Sequence, residues 1–397
     1  MTVHTGYDLA EARRALRVLR ECTYLNTGTV GIMAEPVLAE HLEAITAFEA
    51  GGHLAQSAAR EAYERARAAL AALIGAQPEE IALTRNATDG VNLIAAGLAL
   101  APDTVALTTD QEHPAVILPW ALAERHGGAQ LRLFRIGATP EETLANFRAA
   151  LSPAVKLIVV SHVSCETGAR LPVAEICRLA RERGIWTLID GAQSVGQFPV
   201  DVHEIGCDFM TGNGHKWLCG PKGTGFLYLR QGAISEVEPR HVGDGAVAPN
   251  FNRHAMEDAH PALDFEFVAS GQRFEFGTRN WHTFAALPAA IDYLAGLGWT
   301  AIERHCADLS AALKERLSAA PGVTLHSPRA WEDSSGLVTF AFEGWSGEAL
   351  SQALWQRYMI IQRRVQIPNG VRISCAYFND SNDLDRLFAA LGDLRAG

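Results

Sequence analysis

Short apolar segments alternate with helical ones along most of this chain. An amphipathic pattern from about Ala58 to Gly75 is followed by the apolar segments IALT, TVALTT, LRLFRI, VKLIVVSHV and IWTLID, most of them separated by helical stretches. Strands that are apolar on both faces and alternate with helices are typical of a mostly parallel sheet covered on both sides. The alternation therefore predicts an α/β fold whose large domain spans residues 23–285.

The C-terminal part has a different order of elements. A long helix from about Thr300 to Ala320 is followed by the strand LVTFAFE, the helix GEALSQALWQRY, the strand VRISC and a last helix from Asn382. This order predicts a smaller α+β domain over residues 286–397. Residues 1–22 are predicted to be an N-terminal segment that packs with the small domain. The polar stretch from Gly243 to Ser270 is predicted to be a long functional loop.

Charge and composition exclude several classes of protein. With 34 Lys and Arg against 45 Asp and Glu, the formal charge of −11 argues against a nucleic-acid partner, which would need a basic surface. No stretch approaches the roughly 18 to 20 consecutive apolar residues of a membrane span, and the N-terminus lacks the apolar core of a signal peptide. The seven cysteines are never spaced as C-x-x-C, so neither a metal site nor a disulfide framework is expected. We therefore expect a cytoplasmic protein that has no membrane partner.

Polar segments follow four of the apolar strands. They are TRNATDG after IALT, DQEHP after VALTT, DGAQS after IWTLI and NGHKW after DFMT. Parallel α/β sheets bind ligands at the carboxyl ends of their strands, so these segments are expected to converge on one site. The segment ATDG, which begins with Ala87 and Thr88, opens a helix and would direct backbone N–H groups and a hydroxyl at an anion such as a cofactor phosphate. The alternative is an ordinary helix cap made by Asn86 or Thr88.

Asp190 and Lys216 are the two charged residues that indicate the chemistry. Asp190 ends the apolar strand IWTLI, where a buried carboxylate needs a cationic or donor partner. The protonated pyridine nitrogen of pyridoxal phosphate (PLP) is such a partner, and a structural helix cap is the alternative. Lys216, between His215 and Trp217, is expected in a partly desolvated pocket that lowers its pKa and favours Schiff-base chemistry. A lone loop lysine is usually solvated, but the joint pattern with Gln193 at consecutive strand ends favours a cofactor site.

At these positions the chain resembles the class V aminotransferase family of fold-type-I PLP enzymes, which includes cysteine desulfurases, cysteine and cystine C–S lyases and isopenicillin N epimerase. The resemblance is carried by LIDGAQ and GHKWLCGPKGTGFLYLR, with DQEHP, SHVSCETG, FEFGTRN and VRISCAYFND in support. It implies a fold-type-I PLP-dependent transferase fold, bound pyridoxal 5'-phosphate, a small amino-acid substrate and a homodimer.

The resemblance also implies roles for individual residues. Around the cofactor these are Lys216 as the Schiff-base lysine, Asp190 on the pyridine nitrogen, Gln193 near the phenolic oxygen, His113 stacked on the ring, and Thr88 and His215 on the phosphate. Thr278 would reach the phosphate of the other subunit's cofactor. Arg372 matches the arginine that binds the substrate carboxylate, a task that suits a planar guanidinium, with a surface arginine as the alternative. Asn26 and Thr27 lie in a segment similar to the family's substrate-side loop.

Departures from the family bear on the reaction. Asn213, a candidate phosphate ligand, stands where desulfurases usually have a serine, and Cys165 replaces an asparagine or tryptophan seen in relatives. Desulfurases also carry a mobile nucleophilic cysteine just before the carboxylate-binding arginine. No cysteine occurs here between Cys306 and Cys375. Persulfide-forming chemistry is therefore disfavoured.

Four functions stay open at this point. The first is a lyase that removes the α proton with Lys216, with His113 as a second catalytic residue, and expels a thiol from a cysteine-type substrate by β-elimination. An epimerase like isopenicillin N epimerase is the second, an aminotransferase the third and a non-catalytic PLP-fold binding protein the fourth. Arg279, Arg363 and Arg364 either recognise a second substrate carboxylate or are solvated or paired charges.

Overall fold

The computed structural model describes residues 6–248 and 265–396 of the chain. Its strands are β1 (Thr23–Tyr24), β2 (Ile81–Thr84), β3 (Val105–Thr109), β4 (Gln130–Phe134), β5 (Val155–Ser161), β6 (Trp186–Asp190), β7 (Phe209–Asn213), β8 (Gly225–Leu229), β9 (Val323–Leu325), β10 (Leu337–Phe342), β11 (Ile360–Ile361), β12 (Arg363–Val365) and β13 (Gly370–Ser374). Its helices are α1 (Leu9–Arg14), α2 (Glu35–Gly51), α3 (Gln56–Leu73), α4 (Ala87–Gly97), α5 (Pro114–Arg125), α6 (Pro140–Ala150), α7 (Val173–Arg181), α8 (Val202–Ile205), α9 (Trp281–Phe284), α10 (Ala286–Leu297), α11 (Trp299–Ala319), α12 (Gly347–Tyr358) and α13 (Ser381–Ala396). The functional loop predicted at residues 243–270 falls largely on residues 249–264, which lie outside the described residues.

The large sheet has seven strands in the order β2-β8-β7-β6-β5-β3-β4. The strands β3 to β7 pair in parallel, whereas β8 is antiparallel to both β2 and β7. The central strands β6, β7 and β8 are almost entirely buried, which is why they read as continuous apolar runs rather than as alternating ones. The structure therefore confirms the predicted α/β class with a mostly parallel sheet.

A second sheet is antiparallel and has the order β12-β13-β10-β9. It packs against α11 and α12, and its apolar core, which includes Leu313, Phe340 and Leu387, is separate from the core of the large sheet. The helix α10 packs instead on α2 and α3, and its Leu287 and Ile291 belong to the large core. The division of the chain at residue 285 stays a prediction.

The N-terminal segment lies against C-terminal elements. Arg13 of α1 donates to the Phe378 carbonyl at 2.7 Å and forms an ion pair with Asp383 at 2.8 Å. The short strand β1 pairs in parallel with β11, so Thr23 lies opposite Ile360. This pairing was not predicted, because a strand of two residues carries no periodicity.

No single helix in the two described ranges is long and apolar enough to span a membrane. The segments Trp281–Leu297 and Trp299–Ala319 meet the criteria of length and apolarity only when they are joined, and the chain bends by 73° between them.

A buried ion pair joins α3 to the segment before α9. Arg67 donates to the two carboxylate oxygens of Glu275 at 2.6 and 3.0 Å and to the Ile81 carbonyl at 2.8 Å. Glu275 also accepts from the Leu83 N–H at 2.6 Å. Arg67 is 2% exposed and Glu275 8%, so water solvates neither charge. The pair therefore fastens the segment that carries Glu275 to β2.

Replacing Arg67 with methionine is expected to destabilise the protein by about 3–5 kcal/mol, because Glu275 would become an uncompensated buried charge. The double variant Arg67→Met/Glu275→Leu should recover much of that loss, since it removes both charges. Urea unfolding followed by circular dichroism measures the free energy of unfolding. Arg364→Met is the control: Arg364 pairs with Glu348 on the surface, and its loss should cost less than about 1 kcal/mol. An effect of Arg67→Met no larger than that of the control would contradict the prediction.

Candidate active site

The carboxyl ends of β5, β6 and β7 lie side by side and carry polar residues. Ser161, Asp190 and Thr211 are consecutive cross-strand partners in the parallel register. Asp190 is 7% exposed. Its Oδ1 accepts from the Ala192 N–H at 2.9 Å and more weakly from the Thr211 hydroxyl at 3.5 Å, whereas its Oδ2 has no hydrogen-bond partner among the described residues. Asp190 is therefore a buried carboxylate with one oxygen open to a further donor.

Lys216 lies in the tight turn that follows β7. Hydrogen bonds from the Gly220 N–H to the Gly214 carbonyl (2.8 Å) and from the Cys219 N–H to the Lys216 carbonyl (3.0 Å) close this turn. Lys216 is partly buried, and its amine makes no hydrogen bond to a described residue. Desolvation lowers its pKa below the usual lysine value, although Asp190 opposes the shift. The neutral amine, which is the nucleophilic form, is thereby favoured.

A loop from the N-terminal segment crosses over the lysine turn. The Gly31 N–H donates to the His215 carbonyl at 2.7 Å, and a Cβ at Gly31 would lie 1.9 Å from the Lys216 carbonyl oxygen, so only glycine fits there. In the same loop, Asn26 and Thr27 have buried side-chain oxygens without hydrogen-bond partners. Unpartnered buried oxygens are costly, so these two residues are open to polar groups of a bound molecule.

His215 and Trp217, which flank Lys216, have different surroundings. The Trp217 indole N–H donates to Gln193 Oε1 at 2.9 Å, and Gln193 Nε2 donates to the Gly28 carbonyl at 2.8 Å. His215 has a buried Nδ1 without a partner, and desolvation, together with the charge of Lys216, lowers its pKa to about 4. Gln193 thus keeps one Nε2 hydrogen, and neutral His215 keeps one ring nitrogen, for a bound group.

His113 is the N-cap residue of α5. Its Nδ1 accepts from the Ala115 N–H at 3.1 Å, so the proton of the neutral ring is on Nε2. Desolvation lowers the pKa of His113, the charge of Lys216 lowers it further, and Asp190 opposes the shift. His113 is therefore a neutral ring with an Nε2–H donor, and it lies within the electrostatic reach of both Lys216 and Asp190.

Protein groups already cap the N-terminus of α4. Asn86 Oδ1 accepts from the Asp89 N–H at 2.9 Å, which is the ordinary cap that the sequence left open as an alternative. Asn213 Oδ1 accepts from the Ala87 N–H at 3.0 Å. The Ala87 N–H is thus used within the protein, while the Nδ2 of Asn213 is left as a donor for another group. Thr88 is exposed, and its hydroxyl has no hydrogen-bond partner within the described ranges.

A recess of about 890 Å³ lies at this end of α4. Thr88, Thr278 and Arg279 line it together, and Thr278 is exposed in the single chain. Arg279 donates to the Tyr63 hydroxyl at 3.3 Å and to the Leu83 carbonyl at 2.5 Å. The guanidinium of Arg279 therefore supports the wall of the recess by contacts with neutral groups.

Arg372 is a fully buried cation that forms no ion pair with a described residue, although the charge of Glu166 is close enough to oppose the lowering of its pKa. It is 1% exposed in β13 and donates to the Cys165 carbonyl at 2.5 Å and to the Thr29 hydroxyl at 3.2 Å. No acidic side chain in the described part of the chain forms an ion pair with it, and its Nε is buried without a partner. Burial lowers the pKa of Arg372 to about 10. An anion would stabilise a guanidinium in such surroundings, which suits the substrate carboxylate that the sequence predicted.

The two arginines of β12 face opposite sides of the small sheet. Arg363 is the cross-strand partner of Arg372, so the two side chains share a face. Its charge contributes to lowering the pKa of Lys216, and it forms no ion pair with any described residue. Arg364 is exposed and pairs with Glu348 at 2.6 Å. Arg363 is therefore the arginine of this pair that faces the site.

All seven cysteines are buried. Cys165 is close enough for its ionisation to depend on Arg372 and Lys216, yet desolvation raises its thiol pKa to about 12. Burial also raises the pKa values of Cys219 and Cys375 to about 12. A reactive cysteine needs a lowered pKa, so these thiols are held in the unreactive protonated form.

Sequence reasoning missed Glu112, Ser161 and Thr29. Glu112 lies in DQEHP directly before His113, and its place between a strand and a helix was the available signal. Ser161 is the last residue of β5, and a polar residue at the end of a strand does not by itself indicate a role in a site. Thr29 contacts Arg372 across 343 residues of sequence, so no local pattern would have indicated that contact.

Comparison with known proteins agrees with this arrangement. The family model for aminotransferase class-V matches residues 33–387. Isopenicillin N epimerase of Streptomyces clavuligerus is 35% identical and is covered over 98% of both chains. A Mycobacterium leprae protein named "Probable cysteine desulfurase 2" is 32% identical over 98% of this chain and 95% of its own. The cystine C–S lyase C-DES, solved in complex with its reaction product cysteine persulfide, has a TM-score of 0.85 at 28% identity and covers 95% of this chain and 99% of that one.

A second structure of C-DES is a lysine-to-alanine mutant with glycine covalently linked to its PLP cofactor, and it matches with a TM-score of 0.86, covering 96% of this chain and 99% of that one. Fold and site together define a PLP-dependent enzyme of fold type I. The chain belongs to the class V aminotransferase family, and its cofactor is PLP. The described residues fit this cofactor, since Asp190 has a free carboxylate oxygen, Lys216 a desolvated amine that makes no hydrogen bond to a described residue, and His215 an unpartnered ring nitrogen. The roles of individual residues stay predictions.

Thiol reagents are expected to react slowly with the folded protein, because all seven cysteines are buried and burial raises the pKa of each of them. Titration with Ellman's reagent at about pH 8 should detect fewer than one thiol within minutes in the native protein. The same protein in guanidinium chloride is the control and should give all seven. One rapidly reacting thiol in the native state would show that a nucleophilic cysteine exists.

Proposed function

We propose that the protein is a PLP-dependent lyase that removes the α proton of a cysteine-type amino acid or cysteine conjugate and expels a thiol by β-elimination. The supporting observation is that the desolvated amine of Lys216, the Nε2–H donor of His113 and the guanidinium of Arg372 lie within electrostatic reach of one another, whereas burial raises the pKa of the nearby Cys165 thiol. No cysteine occurs between Cys306 and Cys375, and burial raises the pKa of Cys375 to about 12. These features disfavour the persulfide chemistry of desulfurases.

Arg372 would bind the α-carboxylate of the substrate. Two parallel hydrogen bonds from a guanidinium to a carboxylate would satisfy its unpartnered Nε and provide the missing counter-ion. The unpartnered oxygens of Asn26 and Thr27 would bind the polar groups next to the substrate Cα. Such binding would orient the Cα–H bond toward Lys216, which is how positioning lowers a barrier.

PLP, when bound, withdraws electrons from the substrate Cα. Lys216 then accepts the α proton, a role that its lowered pKa and buried position favour. The C–S bond breaks with its electron pair on sulfur, the Nε2–H of His113 would donate a hydrogen bond to the leaving sulfur, and the proton that Lys216 took from Cα would pass to that sulfur, which returns Lys216 to its neutral form. The released 2-aminoacrylate takes up water to give pyruvate and ammonia, so atoms and charges balance.

Arg363 would select substrates with a second anionic group. It shares a face with Arg372, contributes to the pKa of Lys216 and has no acidic partner in the described ranges. Cystine carries a second carboxylate at the far end of its disulfide, and C-DES, which resembles this chain in structure, is a cystine C–S lyase. A cystine-like substrate therefore suits the two arginines best.

The cofactor would be bound by residues from several strand ends: Asp190, Gln193, Asn213, His215, Lys216, His113 and Thr88, with Ala87 acting through its hydrogen bond to Asn213. The protein would be a homodimer. Thr278 is exposed in the recess that Thr88 also lines, so Thr278 would be available to the cofactor of a second subunit.

An epimerase is the second candidate. The supporting observation is the 35% identity with isopenicillin N epimerase over 98% of both chains. Epimerisation needs one base and one acid on opposite sides of Cα, and Lys216 with His113 would form such a pair. The lyase and the epimerase thus share the first proton transfer and differ in the fate of the substrate after it.

Incubation of the holoenzyme with cystine, cysteine conjugates and an isopenicillin-like peptide in deuterated water should separate the candidates. The lyase is expected to release pyruvate, ammonia and a sulfur product from cystine. Deuterium at Cα without pyruvate would reject the lyase in favour of the epimerase, and a requirement for a keto acid would indicate transamination. Lys216→Ala is the control and should lose all turnover. A wild-type protein without turnover would indicate a PLP-binding protein.

Arg372→Lys is expected to raise KM about 100-fold and to leave the absorbance of the bound cofactor unchanged, because lysine loses the bidentate geometry but keeps the charge. Steady-state kinetics with the best substrate measures this. Arg364→Lys is the matched control, since Arg364 pairs with Glu348 away from the site and should leave KM unchanged. Equal KM values for the two variants would remove Arg372 as the carboxylate ligand.

A further inference from the structure

We propose that Glu112 is a positioning residue of this active site: its carboxyl group joins the ends of β3 and β5 and holds His113 and Asp190 in a fixed relation to each other. Glu112 is 6% exposed. Its Oε1 accepts from the Thr109 hydroxyl at 2.7 Å and from the Ser161 N–H at 3.0 Å. Its Oε2 accepts from the same N–H at 3.1 Å and from the Ser161 hydroxyl.

The hydrogen bonds of the Glu112 carboxyl group form a bridge between the ends of β3 and β5. Each end of this bridge leads to a predicted cofactor ligand. His113 follows Glu112 directly in the chain and caps α5, so a movement of Glu112 would tilt the imidazole ring. Ser161 is the cross-strand partner of Asp190 at the end of β6, so the bridge also sets where β5 ends beside that carboxylate. A displacement of about 1 Å at such a site is enough to reduce a rate substantially.

Glu112 is also a buried acid that forms no ion pair with any cation in the described ranges. Burial raises its pKa to about 7, the hydrogen bonds from Ser161 and Thr109 oppose the shift, and the nearby Asp190 adds to it. Cys165 is the other titratable group that is coupled to Glu112, and burial keeps its thiol protonated. The structure therefore places a carboxyl group that changes its charge near neutral pH next to the carboxylate predicted to face the cofactor.

An ionised Glu112 adds negative charge beside Asp190 and stabilises positive charge in the site. Removal of that charge is expected to make the bound cofactor and Lys216 lose their proton at lower pH. Ordinary packing of a buried side chain would not have this effect, so the pH dependence distinguishes a positioning role from a purely structural one.

The first test is a pH titration of the visible absorbance of the holoenzyme. Glu112→Gln keeps the size of the side chain but removes its charge, and the midpoint should fall by about 0.5–1 pH unit. With the best substrate, kcat should fall about tenfold while KM changes less than about twofold. The absorbance requires no turnover, so this test stands whether or not the elimination reaction occurs.

The second test uses the protein without its cofactor. Because the folded-state pKa of Glu112 is raised, its protonated form contributes stability at low pH that is lost as the pH rises from about 4.5 to about 7. The fall in Tm between about pH 5 and pH 8 should therefore be smaller in Glu112→Gln than in the wild type. Differential scanning fluorimetry at the two pH values measures this.

Glu80→Gln is the matched control. Glu80 is 3% exposed and accepts from the backbone N–H groups of Gln77 and Gln231, at the other end of β2 from the site. It should change Tm without moving the absorbance midpoint. Ser161→Ala removes one donor to Glu112 and should also lower the absorbance midpoint, by a smaller amount than Glu112→Gln. If Glu112→Gln does not fold, the midpoint of Ser161→Ala tests the proposal in its place. A loss of stability with an unchanged midpoint in both variants overturns the proposal.

Discussion

Three charged groups near the carboxyl edge of the large sheet are left with bonding capacity that no described residue uses. Asp190 has a free carboxylate oxygen, the Lys216 amine makes no hydrogen bond to a described residue, and Arg372 is a buried cation whose Nε has no partner and which forms no ion pair with a described residue. Burial of unpaired charge is costly, so each of these groups favours a ligand of the opposite character. A cofactor with a basic ring nitrogen and a carbonyl, together with a substrate carboxylate, supplies what all three groups lack. The surrounding fold determines where these unsatisfied groups can lie.

Two parts of the chain meet at this edge through the N-terminal loop. Gly28 accepts from Gln193 of the large sheet and donates to Ser374 of the small sheet, while Thr29 accepts from Arg372. Gly31 lies against the lysine turn so closely that no side chain fits. The loop thus contacts both the residues predicted to bind the cofactor and the arginine predicted to bind the substrate. A shift of the loop would move both sets of residues together.

Related folds of this family carry out different reactions, and a few side chains decide between them. In their predicted roles, the lysine, the aspartate and the arginine would prepare the removal of a proton, which elimination, epimerisation and transamination share. The reactions differ in whether a thiol nucleophile and a second acid are present. Burial holds the thiol of Cys165 protonated despite its place between Arg372 and Lys216, and His113 carries the remaining N–H. These surroundings are the basis of our proposal that the enzyme releases a thiol.

Much of the fold and part of the candidate site could be predicted from the sequence. Apolar strands that alternate with helices are typical of a parallel sheet, and a parallel sheet brings its strand ends to one edge, so local patterns were enough to predict the α/β class and the grouping of Asp190 with Lys216. The resemblance to a known family was needed to assign PLP and the residue roles. Such local patterns could not predict contacts between segments that are far apart in the chain. The pairing of Thr29 with Arg372, the direction in which Arg363 faces and the four hydrogen bonds around Glu112 depend on register and loop path. They are set by packing among residues far apart in the chain, for which a one-dimensional pattern carries no signal.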